Sequence, residues 1–368
     1  MDRSLVSGVR PWIAAAAVLC AACGEKMTGS PTPDLGPTGV LRLSPGNDGG
    51  KDEDPHVLRT VAGDFYAAWL SDRDGNDEIY VCGSPSGMEW TPPTRATTHG
   101  DADWYPSLAE AAGAYHLVWM RQQVAPPYER HVWYNRSPDA LAWSPANEVA
   151  LTSGAVDDFV PFMVELHGTL FVYFDSQARS ANGTRDLYQV RSTDAGSTWT
   201  DPAPLDDLND ATEMDSFPFA MRNVLGGLTM VWIRYDASAS GAVPYLHESS
   251  DVFWSASPDG IDWGAPQALT ANDVDGIVDS IPSLYGSLEE TYFVWTSNLV
   301  DRARGDVVEL AFSRRAEYPA AVINVSAGNQ APGWSARVVP AEQGGLFLRV
   351  WVATISGSKK VHYQLFER

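Results

Sequence analysis

Cysteine is scarce in this chain. Of its 368 residues three are cysteine, and two of those, Cys20 and Cys23, stand close together near the N-terminus. Only Cys82 remains in the body of the chain, which excludes an intrachain disulfide framework and reads as a small buried hydrophobe. Positive charge is also thin: 25 Lys and Arg face 47 Asp and Glu, a formal net charge of −22 that excludes nucleic acid as a partner. The apolar run at 12–22 has 11 residues, too few to cross a bilayer. Helical periodicity is missing beyond residue 22, as are a His/Glu zinc motif, a Gly-rich phosphate loop and a nucleophile elbow. What the chain has instead is 14 Trp and 14 Tyr among 31 Gly and 25 Pro, the composition of short strands and tight turns.

The N-terminus carries a processing pattern. Arg3 and Arg10 precede the apolar run, which ends in Leu19-Cys20-Ala21-Ala22-Cys23-Gly24. Small residues before a cysteine resemble the lipobox of bacterial lipoproteins, with Cys20 standing where an aliphatic residue is usual. The resemblance implies that residues 1–22 are removed and that Cys23 is lipidated. Gly24 then implies the outer membrane of the bacterial cell envelope, with membrane contact through the lipid alone. Cleavage moves the formal charge from −22 to −23, since two arginines and one aspartate leave. Residues 23–38, rich in Pro, Gly and Ser, read as a tether before a domain at 39–368.

One turn organises that domain. Ser192-Thr193-Asp194-Ala195-Gly196-Ser197-Thr198-Trp199 follows an alternating run of β-formers. Ser192 and Asp194 can bond backbone N–H groups of the turn, Gly196 can take positive φ, and Trp199 can fold back as an apolar plug. Shorter copies occur at Ser84 to Trp90, at Ser137, Asp139 and Trp143, and at Ser257, Asp259, Gly260 and Trp263; a worn copy begins at Ser313. The turn resembles the Asp-box, or bacterial neuraminidase repeat, of sialidases and other β-propellers. Before each turn stands one strand, and before that another with an aromatic near its end: Trp69, Trp119, Tyr173, Trp232, Trp295 and Trp351, at intervals of 50 to 63 residues. Earlier still comes a strand opening Asp-x-x-Pro at Asp103, Asp158, Asp215 and Asp279; the first unit opens at Asp54-Pro55 and the last at Trp334-Ser335. Six such units predict an all-β, six-bladed β-propeller. The last unit lacks a fourth strand, so Val40-Leu41-Arg42-Leu43 is expected to pair with it and close the ring.

The faces differ. The box turns share one face, while long unlike loops at 72–77, 121–130, 175–185, 235–250 and 297–305 share the other, where binding function tends to sit. The expected ligand-binding set at that channel mouth is Asp54, His56, Asp103, Tyr105, Asp158, Asp215, Asp279, Trp334 and Arg337, with Asp101, Asp157, Asp206, Asp207, Asp273 and Asp275 nearby making the rim acidic. Each Asp that opens a strand also has the plainer role of capping backbone N–H groups. Oxygen side chains at 72, 74 and 76 hint at calcium, but a hairpin on Asp74-Gly75-Asn76 explains them more simply, so no metal or cofactor is expected.

The sialidase resemblance implies three arginines on a substrate carboxylate, a Tyr nucleophile with its Glu, and an Asp acid/base. Here Asp54 stands where the first arginine belongs and Trp334 where the tyrosine belongs, while Arg73 with Asp74 or Asp77 matches the second arginine and the acid/base. Arg121, Arg234 and Arg337 lie within reach of the mouth, each with carboxylates nearby to pair with. The broken set implies a lipid-anchored extracytoplasmic propeller that binds a glycan or an envelope or extracellular protein without turnover, stacked on Trp334 or Tyr105. The alternative is a glycoside hydrolase, exo-sialidase-like or other, using Asp74 or Asp77 with Asp103 or Asp279.

Overall fold

The computed structural model describes residues 41–43, 50–180, 183–236, 249–270, 277–286, 290–297, 306–313, 322–324, 333–340, 346–355 and 358–367. They form an all-β propeller of antiparallel meanders. The first sheet runs Asp52–Arg59, Phe65–Ser71, Glu78–Ser84 and Thr94–Arg95. The second runs Ala102–Ala111, Ala114–Gln122, Arg130–Ser137 and Val149–Ala150, and the third Asp158–Leu166, Thr169–Ser176, Asp186–Ser192 and Ala203–Pro204. Six separate sheets are not what the described residues form. There are five, because two meanders share one eight-stranded sheet. One begins at Glu213–Arg222 and the other at Ile277–Gly286, and a short parallel pairing of Ser249 with Ile277 and Ser250 with Val278 joins them. The last sheet contains Gly333–Pro340, Leu346–Ile355 and Ser358–Glu367, and Leu41–Arg42 pairs antiparallel on its outer edge.

These strands lack a polar face because each sheet is covered on both sides. All seven residues of Glu78–Ser84 are buried. Val81 joins Leu108, Leu117 and Trp119 of the second sheet, while the neighbouring Cys82 joins Leu348, Val350 and Val361 of the last. Cys82 is thus a buried hydrophobe, its thiol pushed up by desolvation. Trp69, Trp119 and Trp232 are fully buried. At 150–250 Å² each, an indole contributes up to about 4–6 kcal/mol of transfer free energy before entropy is counted.

Each of the six innermost strands carries a β-bulge opposite one of these aromatics. Residues 54 and 55 oppose Trp69, 105 and 106 oppose Trp119, 160 and 161 oppose Phe174, 217 and 218 oppose Trp232, 281 and 282 oppose Trp295, and 335 and 336 oppose Trp351. In the third unit the aromatic is therefore Phe174, not Tyr173. Proline occupies five of the bulges because it has no N–H to give the ladder. The residue before each proline is left-handed: Asp54 (φ 50), Tyr105 (54), Val160 (43), Phe217 (58) and Ile281 (49). For β-branched Val160 and Ile281 this is a strained conformation, costing on the order of 1–3 kcal/mol each. It turns five side chains toward the propeller axis.

Candidate functional site at the propeller axis

The bulge residues build the centre of the molecule. Val160 and Phe217 lie in one buried apolar cluster with Tyr105 and Ile281 against it, and Tyr105 meets Phe217 edge-on at 6.1 Å. Beside this plug is a cavity of about 20 Å³, room for about one water, lined among others by Asp54, His56, Tyr105, Phe162, Phe217 and Arg337. Asp54 is the carboxylate among the bulge residues. Part of its surface faces the cavity while protein surrounds the rest, and this burial, with the charge of Glu53, raises its pKa to about 7 against the pull of Arg337, Lys51 and Lys359. Arg337, with its guanidinium 5.2 Å from the Phe219 ring, is lowered to about 10 by burial. His56 is lowered to about 3 by burial and then by Arg337. Its Nδ1 accepts the Leu108 N–H at 3.2 Å, which assigns a neutral imidazole with the proton on Nε2. Four expected site residues, Asp54, His56, Tyr105 and Arg337, thus meet at one cavity.

Asp103, Asp158 and Asp215 do not join them. Each is fully buried and held by an arginine of its own meander: Asp103 bidentate on Arg121 (2.7 and 2.9 Å), Asp158 on Arg179 of the following loop (both 3.0 Å), Asp215 on Arg234 (2.8 and 3.1 Å). Burial alone would lower the pKa of Arg121, but Asp103 and Glu148 outweigh it and raise it. Asp215 also accepts the Trp232 indole N–H at 2.7 Å. The first-unit counterpart of these aspartates is Asp52, not Asp54. Asp52 precedes the bulge proline by three residues, as the others do, and takes Trp69 Nε1 (3.2 Å), Arg73 (2.9 Å) and Lys360 of the last sheet (2.9 Å). The sequence phase was therefore two residues out in the first unit. Of Asp279 and Trp334 only the backbone is described, paired with Ser297 and Val352; Asp273, Asp275, Cys23, the leader and the tether lie outside the described residues.

The first-unit loop is equally committed. Arg73 serves Asp52 and Ser71 and lies 4.4 Å over the Tyr80 ring. Asp74 accepts the Tyr80 hydroxyl. Asp72 accepts the Lys51 N–H, Gly75 N–H closes the turn on the Asp72 carbonyl, and Asn76 donates to Glu78. The carboxylates at 72 and 74 are thus engaged by donors of the protein, the Lys51 N–H and the Tyr80 hydroxyl. Asp77 instead faces the mouth: it accepts Trp104 Nε1 at 2.6 Å and Lys51 Nζ at 3.1 Å. Trp104 is half-buried and lies 6.4 Å from Tyr105, so Trp104, Tyr105 and Phe217 form an aromatic line from rim to axis. The next rim residue, Phe159, lies 4.5 Å from the Arg130 guanidinium and 4.2 Å from that of Arg185. Those arginines pair with Asp157 and with the buried Asp175, so the carboxylates beside Phe159 are matched by guanidinium groups. Asp206 and Asp207 are not on it; they lie at the outer edge between the third and fourth meanders.

The box turns are closed by their own side chains. Ser192 Oγ accepts Gly196 N–H at 2.8 Å, and Asp194, its pKa lowered to about 2 chiefly by Thr198, accepts Thr198 N–H at 2.8 Å. Ser257 and Asp259 repeat the scheme, accepting the Gly260 and Ile261 N–H groups; in the second unit Asp139 accepts the Ala142 N–H while Ser137 Oγ donates to the Ala142 carbonyl. The box tryptophans reach the preceding unit: Trp199 meets Tyr134 edge-on at 5.0 Å, and Trp263 meets Tyr173 at 5.8 Å. Trp143 packs among the first unit's residues. Gly196 (φ 82) is dictated by both conformation and space, since a Cβ there would overlap the Tyr134 hydroxyl.

The architecture is that of a β-propeller. No protein-family model matches this chain, and no curated protein matches it. Among solved structures it is similar to an alpha-L-arabinanase of Penicillium chrysogenum complexed with arabinobiose, at 13% identity and TM-score 0.64, covering 92% of this chain and 99% of that one. It is similar to an alpha-L-arabinofuranosidase of Fusarium graminearum with an iminosugar inhibitor, at 15% identity and TM-score 0.62, covering 89% and 97%. The Trypanosoma rangeli sialidase matches at 11% identity and TM-score 0.60, over 86% of this chain and 55% of that one. At these identities the likeness is one of fold.

Proposed function

We propose that the protein binds a glycan at the channel mouth without hydrolysing it. The supporting observation is the line Trp104–Tyr105–Phe217, its outer indole oriented by Asp77, above an axial cavity too small for a sugar ring. Hydrolysis by the usual route requires two carboxyl groups flanking the bond. Among the described residues Asp103, Asp158 and Asp215 are tied to arginines, and Asp54 is the carboxyl on the bulges. A glycan array carrying arabinan, sialylated and neutral oligosaccharides, run beside aryl arabinofuranosides and sialosides, tests this. Binding without turnover is expected, weakened about tenfold or more in Trp104→Ala.

A second reading, a glycoside hydrolase, is favoured by one observation: the Asp54 carboxyl, raised to about 7, is matched to proton donation near neutral pH, and the fold neighbours act on glycosides. Turnover of any of these glycosides that disappears in Asp54→Asn would establish it over binding alone.

The same proposal takes the eight-stranded sheet as two units, giving six around the axis, closed by the Leu41–Arg42 strand. Six bulged innermost strands and the apolar layer between first and last sheets support it. It also takes Cys23 as the lipidated residue of an outer-membrane lipoprotein, on the leader pattern. Incorporation of labelled fatty acid should be lost in Cys23→Ser.

A further inference from the structure

The chain joins the last sheet from an identifiable side. Leu41 pairs with Tyr363 and Arg42 with His362, and the Leu43 N–H reaches the Val361 carbonyl at 2.9 Å, so the chain runs from Tyr363 toward the start of Ser358–Glu367. That start is at the channel mouth: Lys359 Nζ reaches Glu53 (2.5 Å) and Lys360 Nζ the Gly50 carbonyl (2.6 Å), beside the opening of the first inner strand. The other end lies with the box turns, since the Tyr363 hydroxyl donates to the Met88 carbonyl in the first of them (2.8 Å). The backbone at Leu41 therefore directs its preceding residues to the box-turn side, opposite the mouth. Among the exposed large apolar side chains described, Val61 (95%) and Met88 (51%) stand on that side of the first unit. Leu225 (54%) and Ile261 (40%) stand on the same side of the unit that begins at Glu213. In each pair one residue is on the hairpin after the inner strand and the other is in the box turn.

We infer that the box-turn face is the side turned to a lipid bilayer, resting on zwitterionic phospholipid, with the channel mouth facing away from it. This rests on the reading of Cys23 as the lipidated residue. A Pro/Gly/Ser-rich segment as long as residues 23–40, 18 in number, has a typical span of about 20–25 Å. From Tyr363 to the box end of its strand at Glu367 is four residues, about 13 Å. The segment is thus long enough to clear the box turns in the direction it already takes. Bringing the mouth to the membrane would require it to double back and stretch past the mouth loops, at a cost in chain entropy. The apolar tips on two separate units give two points of support, which resist tilting on an apolar-cored surface. Asp139, Asp194 and Asp259, held in the box turns of the same face, would repel an anionic surface and so select zwitterionic headgroups. In this orientation the mouth stays open to glycans on the side away from the anchor.

The test uses the mature protein purified from membranes and placed in phosphatidylcholine vesicles that carry a nitroxide on a fraction of the headgroups. Fluorophores are attached at Val61→Cys or Leu225→Cys on the box-turn side, and at Val124→Cys or Tyr128→Cys on the mouth side, all exposed positions that leave the core intact. The native Cys82 is buried and takes no label. The labels at 61 and 225 should be quenched several-fold more than those at 124 and 128. Equal quenching at the four positions, or stronger quenching at 124 and 128, would overturn the inference. Quenching at 61 and 225 should fall when phosphatidylglycerol replaces part of the phosphatidylcholine, and no fall would contradict the choice of a zwitterionic surface. Mass spectrometry of the same preparation reports whether Cys23 carries lipid. Without lipid the anchor reading fails and this inference falls with it, whereas uniform quenching of lipidated protein overturns this inference alone.

Discussion

Asp52 and Asp54 sit two residues apart on one strand and have opposite fates. Asp52 lies within the sheet, fully buried, with an indole N–H and an arginine on Oδ1 and the Lys360 ammonium 2.9 Å from Oδ2. Asp54 lies on the bulge, where the other units carry Tyr105, Val160, Phe217 and Ile281, and its left-handed backbone turns it into the axial cavity. The residue type is the same; its distance from the proline decides whether it is held by its sheet or stands at the axis. A buried charge with its partners in place is structural. Burial and the charge of Glu53 raise Asp54 to about 7 against Arg337, Lys51 and Lys359, while burial raises Asp103 and Asp215 to about 6 against the arginines that hold them.

The largest expected effect breaks the first side of the comparison. Asp215→Ala removes the acceptor shared by Arg234, Trp232 Nε1 and the Asp210 N–H, leaving a buried guanidinium without its closest carboxylate. It should destabilise the protein by about 3–5 kcal/mol in denaturant unfolding. Asp54→Asn should cost far less, since asparagine tolerates φ 50.

A smaller effect sharpens the other side. Between about pH 4 and pH 7 folded Asp54 keeps a proton that the unfolded chain has released, so its contribution to stability falls as pH rises through that window, by at most about 1.4 kcal/mol per unit. The Asp54→Asn variant carries no titrating group at that position and lacks this dependence. The wild-type minus variant difference in unfolding free energy should therefore decline from pH 4 to 7 and then level. His56, neutral in the fold and lowered to about 3, acts in the opposite sense between about pH 3 and 6.5, but its contribution cancels in the difference.

Much of this was legible in the chain. The aromatic second strands, the Asp-x-x-Pro openings and the box turns place the meanders, and Leu41–Arg42 does pair on the last sheet. Arg337 and Tyr105 were singled out on position alone and do line the cavity. Asp52-Glu53-Asp54-Pro55 contains the full Asp-x-x-Pro pattern, so the position of Asp52 within its sheet is written in the chain. What could not be read was three-dimensional. The bulges shift the register by one residue, and the pairing of Asp103 with Arg121 spans two strands. The fusion of two meanders rests on one short parallel pairing that no local pattern announces. Composition counts carboxylates and not the guanidinium groups beside them, so the pairs Asp157–Arg130 and Asp175–Arg185 are not legible in it.

The most direct measurement is a ¹³C carboxyl NMR titration of aspartate-labelled protein. The aspartate with the highest midpoint, near 7, should vanish from the spectrum of Asp54→Asn, while Asp103 and Asp215, raised to about 6 by burial against the pull of their arginines, should remain. If that resonance instead titrates near the ordinary aspartate value of about 3.9, Asp54 is one more structural carboxylate and the distinction between the two positions fails.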